Sequence, residues 1–134
     1  MELYVNPASE LPIYRQIVHQ VAAAIAGGRI RPGERLPSHR DLAAQLVIAP
    51  LTVKKAYDEL EREGYLEMRR GRGTFVRRGL DAAGKAARRK RLSQEAARLV
   101  RAAEAAGVSL DQLIDELRTQ AARLSEERTE EAAE

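Results

Sequence analysis

Two short apolar patterns, separated by residues 47–52, most constrain how this chain can fold. Each pattern repeats with the spacing of one helical face, with apolar residues three and four positions apart. The first pattern comprises Leu42, Ala43 and Leu46, and the second comprises Val53, Ala56, Tyr57 and Leu60. Residues 47–49 belong to neither pattern. The sequence therefore predicts two short helices that are joined by a tight turn and bury one face each.

Start and stop signals flank both predicted helices. Ser38 is placed to cap the first helix, with Asp41 at the third helical position near the free N–H groups. Pro50 suits the first position of the second helix, and Gly64 suits the position just after its end. The outward side near the start of the second helix carries Leu51, Thr52, Lys54 and Lys55. Such a pair, with polar and basic residues exposed at the start of the second helix, is typical of a helix-turn-helix.

A further helix and a hairpin flank this pair. Pro12 opens a helical segment that Gly27-Gly28 ends, and its apolar face comprises Ile13, Ile17, Val18, Val21 and Ile25. After Gly64, residues 65–68 and 74–76 have the composition of two short strands. The tip between them holds Arg69, Arg70, Gly71, Arg72 and Gly73. Because glycine permits positive φ and lets backbone approach a ligand closely, this tip is suited to contact a minor groove or phosphates.

Positive charge is concentrated in one part of the chain. The net charge is only +3, but residues 69–91 contain ten basic residues and a single acid, Asp81. The head before this segment is almost neutral, and the tail after it is acidic. This distribution predicts a localised contact with a polyanion. A solvated charge run on a linker is the alternative.

Four segments together carry a resemblance to a known family. The stretches PIYRQIV, LPSHRDLA, TVKKAYDELEREGYLE and RRGRGTFV resemble, in order and spacing, the winged helix-turn-helix domain of the GntR family of bacterial transcription regulators. The resemblance implies that Arg40 binds DNA, that Leu51, Thr52 and Lys54 lie in the DNA-reading turn, and that Arg70 and Gly71 form the wing tip. The full predicted DNA-binding set is Ser38, Arg40, Pro50, Leu51, Thr52, Lys54, Lys55, Arg69, Arg70, Gly71, Arg72 and Gly73.

Three residues depart from the family's pattern. Val47 stands in the turn where the family commonly has glycine, and Ala49 and Leu51 occupy positions that are usually polar. Alanine is a poor helix cap, so we expect some loss of stability at the start of the second helix. Leu51 cannot hydrogen-bond a base edge, but it is able to contact a thymine methyl group.

The tail has a helical pattern of its own. From Lys85 apolar residues recur with helical spacing up to Gly107, and Ser109 with Gln112 forms a capping box for a second helix.

The predicted fold class is mainly α with a small β-hairpin wing, in which a C-terminal helical hairpin follows a winged helix-turn-helix. We expect a DNA-binding domain over residues 1–78, a linker over 79–84, a two-helix dimerisation region over 85–125 and a disordered acidic tail over 126–134. The predicted dimerisation residues are Leu92, Leu99, Leu110, Leu113, Ile114, Leu117 and Leu124.

The short tail resembles the YtrA subfamily, in which the tail serves mainly for dimerisation and the genes tend to accompany membrane transport systems. The resemblance implies a homodimer that binds a palindromic operator in double-stranded DNA, usually as a repressor. Alternatives are a non-specific architectural DNA-binding protein and a protein-interaction module. A third alternative, the DNA-binding head of a longer regulator, is disfavoured because the tail has helix caps and an apolar face of its own. The run Arg88–Arg91 is open to two interpretations, a phosphate contact or a solvated helix start. A small-molecule effector is compatible with the sequence, but no residue marks its site.

Composition excludes several other classes. The chain has no cysteine and only two histidines, His19 and His39, so the usual nucleophile, thiol and metal sets are missing. We therefore expect no enzymatic activity, no cofactor and no metal. The absence of a membrane-length apolar run and of a signal pattern predicts a cytoplasmic protein without a membrane contact.

Overall fold

The computed structural model describes residues 1–79 and 82–133. Its elements, in chain order, are α1 (Ile13–Ala26), β1 (Arg35–Leu36), α2 (His39–Leu46), α3 (Pro50–Arg62), β2 (Leu66–Arg69), β3 (Gly73–Val76), α4 (Ala82–Ala105) and α5 (Leu110–Ala133). Contacts divide the chain into a unit over residues 1–89 and a unit over residues 90–134. We call the first the winged unit and the second the tail.

The core of the winged unit is built on α3, against which both α1 and α2 pack. The predicted apolar faces of all three helices are confirmed, because Ile17, Leu42 and Leu60 are each at most 1% exposed. The other core residues include Val18, Val21, Ala43, Val53, Ala56, Tyr57, Leu66 and Val76. This packing fixes the two short helices relative to each other.

A small antiparallel sheet, in the order β1-β3-β2, closes the winged unit. The predicted hairpin is confirmed with small shifts at its ends, and Arg69 pairs with Gly73 at the tip. β1 was not expected from the sequence, since two residues are too few to show an alternating pattern. Its pairing of Leu36 with Thr74 ties the segment before α2 to the wing.

The turn between α2 and α3 contains a strained valine. Val47 has φ 56° and ψ 52°, and the N–H of Ile48 donates to the carbonyl oxygen of Ala43 at 3.0 Å. The same six-to-one hydrogen bond ends α3, where Tyr65 donates to Leu60 and Gly64 has positive φ. Valine thus adopts the left-handed conformation that usually favours glycine.

Two glutamine side chains hold the N-terminal segment against α1. The amide of Gln16 accepts a hydrogen bond from the N–H of Asn6 and donates to its carbonyl oxygen, at 2.8 and 2.9 Å. Gln20 exchanges the same pair with Tyr4, at 2.9 and 2.6 Å. Spaced one helical turn apart, they bind alternate residues of an extended segment, much as a neighbouring strand would.

The tail's helix ends agree with the predicted signals. Val108 donates to the carbonyl oxygen of Ala103 after Gly107, and the capping box forms through reciprocal bonds between Ser109 and Gln112, at 2.9 and 3.2 Å. Within the described residues, no extended packing joins α4 and α5, so the predicted helical hairpin forms as two consecutive helices with exposed apolar residues. The tail has few large apolar residues, so α4 and α5 have little apolar surface with which to pack against each other.

The helix bounds also differ from the predicted domain boundaries. α4 begins at Ala82, inside the expected linker 79–84, of which residues 80 and 81 lie outside the described part. α5 continues to Ala133 through the segment that was expected to be disordered, which is rich in the good helix formers Glu, Arg and Ala. In the described residues, no helix is both long and apolar enough to cross a membrane.

Candidate nucleic-acid interface

The start of α2 presents an exposed arginine on a fixed backbone. The hydroxyl oxygen of Ser38 accepts a hydrogen bond from the N–H of Asp41 at 3.1 Å, which confirms the predicted cap. Arg40 is exposed, and it has no hydrogen bond or ion pair with any residue in the described part of the chain. Its guanidinium is therefore available to a partner outside the chain.

A buried hydrogen bond sets the position of this helix start. The hydroxyl of Tyr57, on α3, donates to the carbonyl oxygen of Pro37 at 2.8 Å. Tyr57 is only 3% exposed, and burial raises the pKa of its hydroxyl above the ordinary value. The bond connects α3 directly to the residue before the Ser38 cap.

The first turn of α3 carries an exposed apolar side chain. Pro50 occupies the start of the helix and Leu51 is 76% exposed, whereas Thr52 is half-buried. Ala49 makes no side-chain cap bond, in agreement with the expected loss of capping. An exposed leucine beside a helix start costs hydration free energy in the free protein and gains contact area when a partner covers it.

The two lysines of α3 have different surroundings. Lys54 forms an ion pair with Asp58 at 2.9 Å, one turn along the same helix. The ammonium of Lys55 lies 4.0 Å from the centroid of the Tyr14 ring, which belongs to α1. A cavity of about 450 Å³ is lined by Pro12, Ile13, Tyr14, Leu51, Thr52 and Lys55, so the starts of α1 and α3 meet here.

The wing tip contains one arginine with partners and two without. Arg69 contacts Glu67 at 2.7 Å and lies 4.6 Å from the centroid of the Phe75 ring. Arg70 and Arg72 are exposed, and neither has a bonded partner in the described residues. Gly71 and Gly73, with φ of 75° and 118°, allow the tight turn between the strands.

The wing and the start of α2 meet at one cavity. It has a volume of about 380 Å³, and its lining includes Ser38, His39, Arg70 and Arg72. The predicted site residues did not include Arg35 of β1, which lines this cavity and whose side chain packs on Gly73; a Cβ at this glycine would lie 2.8 Å from the Arg35 Nε. They also did not include Tyr14, because its position in the α1 pattern carries no signal for a contact with α3.

The predicted dimerisation residues lie along the tail, and most are exposed. Leu92 is 70% exposed and Leu110 is 64% exposed, while Leu113 and Ile114 are half-buried. We call the whole set the tail stripe: Leu92, Leu99, Leu110, Leu113, Ile114, Leu117 and Leu124. Within the described residues, there is no group of three or more His, Cys, Asp or Glu side chains that could hold a metal ion.

Together these features define a winged helix-turn-helix protein with an exposed basic surface around its two short helices and wing. The sequence matches the family described as bacterial regulatory proteins, gntR family, over residues 13–76. It is 38% identical over 111 residues to the HTH-type transcriptional repressor YtrA of Bacillus subtilis (strain 168), covering 83% of this chain and 85% of that protein. The chain belongs to the GntR family and is a DNA-binding transcription regulator rather than an enzyme.

Two solved structures extend the similarity beyond the winged unit. YtrA from Sulfolobus acidocaldarius, a GntR-family transcription factor, is 30% identical with a TM-score of 0.60, over 92% of this chain and 99% of that one. A transcriptional antiterminator from Listeria monocytogenes EGD-e is 28% identical with a TM-score of 0.74, over 91% and 90% of the two chains. Because these matches cover 91% and 92% of this chain, they extend into the tail.

Proposed function

We propose that this protein is a homodimeric repressor that binds a palindromic operator in double-stranded DNA. The observation that carries the proposal is the set of exposed, unpaired arginines Arg40, Arg70 and Arg72 in a winged helix-turn-helix unit that also exposes Leu51. Unpaired guanidinium groups suit phosphates and guanine edges, and an exposed leucine suits a thymine methyl group.

Each predicted site residue has a role in this proposal. Arg40 and the exposed wing arginines contact DNA, and Ser38 and Pro50 fix the helix starts that place the contacting side chains. Leu51 and Thr52 read base edges, and Lys55 contacts a phosphate while the Tyr14 ring holds it in place. Lys54 must exchange its Asp58 partner for a phosphate, and Arg69 supports the wing through its ion pair with Glu67. The backbone at Gly71 and Gly73 approaches the minor groove.

The tail stripe supports the homodimer. A set of exposed leucines on two consecutive helices gains hydrophobic free energy when a second copy covers it. The proposed dimer places two winged units on half-sites about 34 Å apart, one turn of the double helix.

Repression, the regulated genes and the location of the protein are parts of the proposal that rest on similarity to other proteins and on the DNA partner. Repression is supported by the name of the Bacillus subtilis relative, and a role at transporter genes by the resemblance to the YtrA subfamily. A cytoplasmic location is supported by operator DNA as the partner, and we propose it on that ground. No cofactor is needed, and an effector, if one acts, must use a site that the sequence does not mark.

Selection of bound fragments from random duplex DNA, with the full-length protein at physiological salt, tests the proposal. We expect one inverted-repeat motif to be recovered. Tight binding without any motif would contradict it and would favour the architectural alternative, in which the arginines contact phosphates only. Salt dependence alone would not separate the two, because phosphate contacts dominate both kinds of binding.

A further inference from the structure

Within the basic run, Arg88 differs from the two residues that follow it, Arg89 and Lys90. Its Nε–H donates to the carbonyl oxygen of Glu63 at 3.0 Å, and its guanidinium lies 3.4 Å from the centroid of the Tyr65 ring. The side chain is half-buried, whereas Arg89 and Lys90 are exposed and have no bonded partner in the described residues. Arg88 is thus engaged within the protein, and its exposed neighbours are the residues of this run that are free to contact DNA.

The contacts of Arg88 lie at the end of α3, which is the recognition helix of the proposed DNA complex. Glu63 is the C-cap residue that directly follows α3 and precedes the glycine turn, and Tyr65 leads into β2 of the wing. The last carbonyl groups of a helix lack partners within the helix and carry partial negative charge, so a cationic donor is favourable there. A planar guanidinium is able to donate this bond and stack on the tyrosine ring at once, whereas an ammonium group is not.

We propose that Arg88 is a positioning residue that fixes the first turns of α4 to the end of the recognition helix. This inference rests on the proposed dimeric function. α4 runs from Ala82 to Ala105, so the helix that Arg88 holds also carries Leu92 and Leu99 of the tail stripe. Anchoring the start of the helix that leads to the dimerisation segment restricts the distances between half-sites that a dimer is able to bind, whereas an unanchored connection tolerates several distances.

The test uses full-length protein and a series of duplexes in which the selected half-sites are moved by one and two base pairs. For the wild type we expect affinity to fall about tenfold or more away from one spacing. In Arg88→Ala and Arg88→Lys we expect this preference to be largely lost. Arg89→Ala is the matched control, because it removes the same charge from the next residue, and it should keep the wild-type preference.

Three results would overturn the inference. The first is that both Arg88 variants keep the wild-type spacing preference, and the second is that Arg89→Ala loses it equally. The third is a dimeric wild type with no spacing preference at all. Arg88→Lys keeps the positive charge, so a loss of the spacing preference in this variant would show that Arg88 acts by positioning α4 and not by contacting a phosphate.

Hydrogen exchange provides a readout that does not depend on dimerisation. We expect amides in residues 85–92 to exchange faster in Arg88→Ala than in Arg89→Ala, and equal rates would contradict the anchoring contact. Sedimentation of the wild type is measured in parallel. A monomer would contradict the proposed function, while the exchange comparison would still decide whether Arg88 anchors α4.

Discussion

The hydroxyl of Tyr57 donates a hydrogen bond to the carbonyl oxygen of Pro37, at 2.8 Å, and so links the middle of α3 to the segment that begins α2. Pro37 directly precedes Ser38, whose side chain caps the helix that carries Arg40. The bond therefore fixes the relative position of two parts of the candidate interface, the Arg40 helix start and the recognition helix. Because it is shielded from water, losing it leaves a carbonyl group poorly hydrated.

Replacing Tyr57 with phenylalanine tests this link. At pH 7 we expect Tyr57→Phe to lower the free energy of unfolding by about 1 kcal/mol, since it removes a shielded hydrogen bond and little packing. Urea unfolding followed by circular dichroism measures the change. An unchanged midpoint would show that the bond contributes nothing to stability.

The same residue predicts a dependence on alkaline pH. Burial raises the pKa of Tyr57 above its ordinary value of 10.0, so above that pH the unfolded chain loses this proton while the folded chain keeps it. The contribution of Tyr57 to the free energy of unfolding is complete below pH 10. Above pH 10 this contribution falls by up to about 1.4 kcal/mol per pH unit. We expect the difference in stability between the wild type and Tyr57→Phe to shrink above pH 10. A constant difference up to pH 11 would contradict this.

Arg40 is expected to contribute directly to DNA binding. Arg40→Ala should weaken binding to the selected operator by about 1–3 kcal/mol, the range for a good base or charged phosphate contact. Fluorescence anisotropy with labelled duplex measures the affinity. Arg62→Ala is the control, because it removes an exposed arginine that is already paired with Glu59 at the far end of α3. Equal losses in both variants would remove Arg40 from the interface.

Val47 should limit the stability of the winged unit. Its left-handed conformation costs about 1–2 kcal/mol for a non-glycine residue, and glycine would remove this cost. The greater entropy of glycine in the unfolded chain offsets part of the stability that is gained. The side chain is 89% exposed, so its removal loses almost no packing. We expect Val47→Gly to raise the free energy of unfolding by up to about 1 kcal/mol, seen as a higher melting temperature. A lower melting temperature would show that the valine is not strained.

Leu51 is expected to set one base preference in each half-site. We expect Leu51→Asn to change the preferred base at one position from thymine to adenine, because an amide is able to bond both adenine edge groups in the major groove. Binding to operators with single base changes measures the preference. Thermal unfolding should be unaffected, since Leu51 is exposed in the free protein. The same preference in variant and wild type would place Leu51 outside the base-reading surface.

Introducing positive charge on the tail stripe tests whether this stripe forms the dimer interface. The double variant Leu117→Lys and Leu124→Lys places two ammonium groups on exposed stripe positions, and we expect it to sediment as a monomer and to lose operator affinity through lost avidity. The control pair Thr119→Lys and Ala122→Lys adds the same charge away from the stripe, and it should remain dimeric. A stripe variant that still forms a dimer would show that dimerisation uses another surface.

Local signals made much of this structure predictable from sequence. The Ser38 cap, the Ser109–Gln112 capping box and the glycine that ends α3 each depend on residues a few positions apart, so a pattern in the sequence specifies them. The apolar faces of α1, α2 and α3 follow from helical periodicity in the same way.

Contacts between distant residues were not predictable in this way. Arg88 and Glu63 are 25 positions apart, and Arg35 reaches the wing only because β1 pairs with β3. A basic residue that will stack on a tyrosine looks the same in the sequence as one that remains in solvent. The run Arg88–Arg91 is consequently uniform in sequence, and the contacts of Arg88 in the fold distinguish it from the exposed Arg89 and Lys90.

Hydroxyl-radical footprinting of the full-length protein on the selected duplex would test sequence-specific binding by a dimer most directly. We expect two protected regions, related by the two-fold symmetry of the operator and centred about ten base pairs apart. The same amount of an unrelated duplex should show no defined boundary. Uniform protection of both duplexes would contradict specific recognition, and a single protected region on the operator would contradict the dimer.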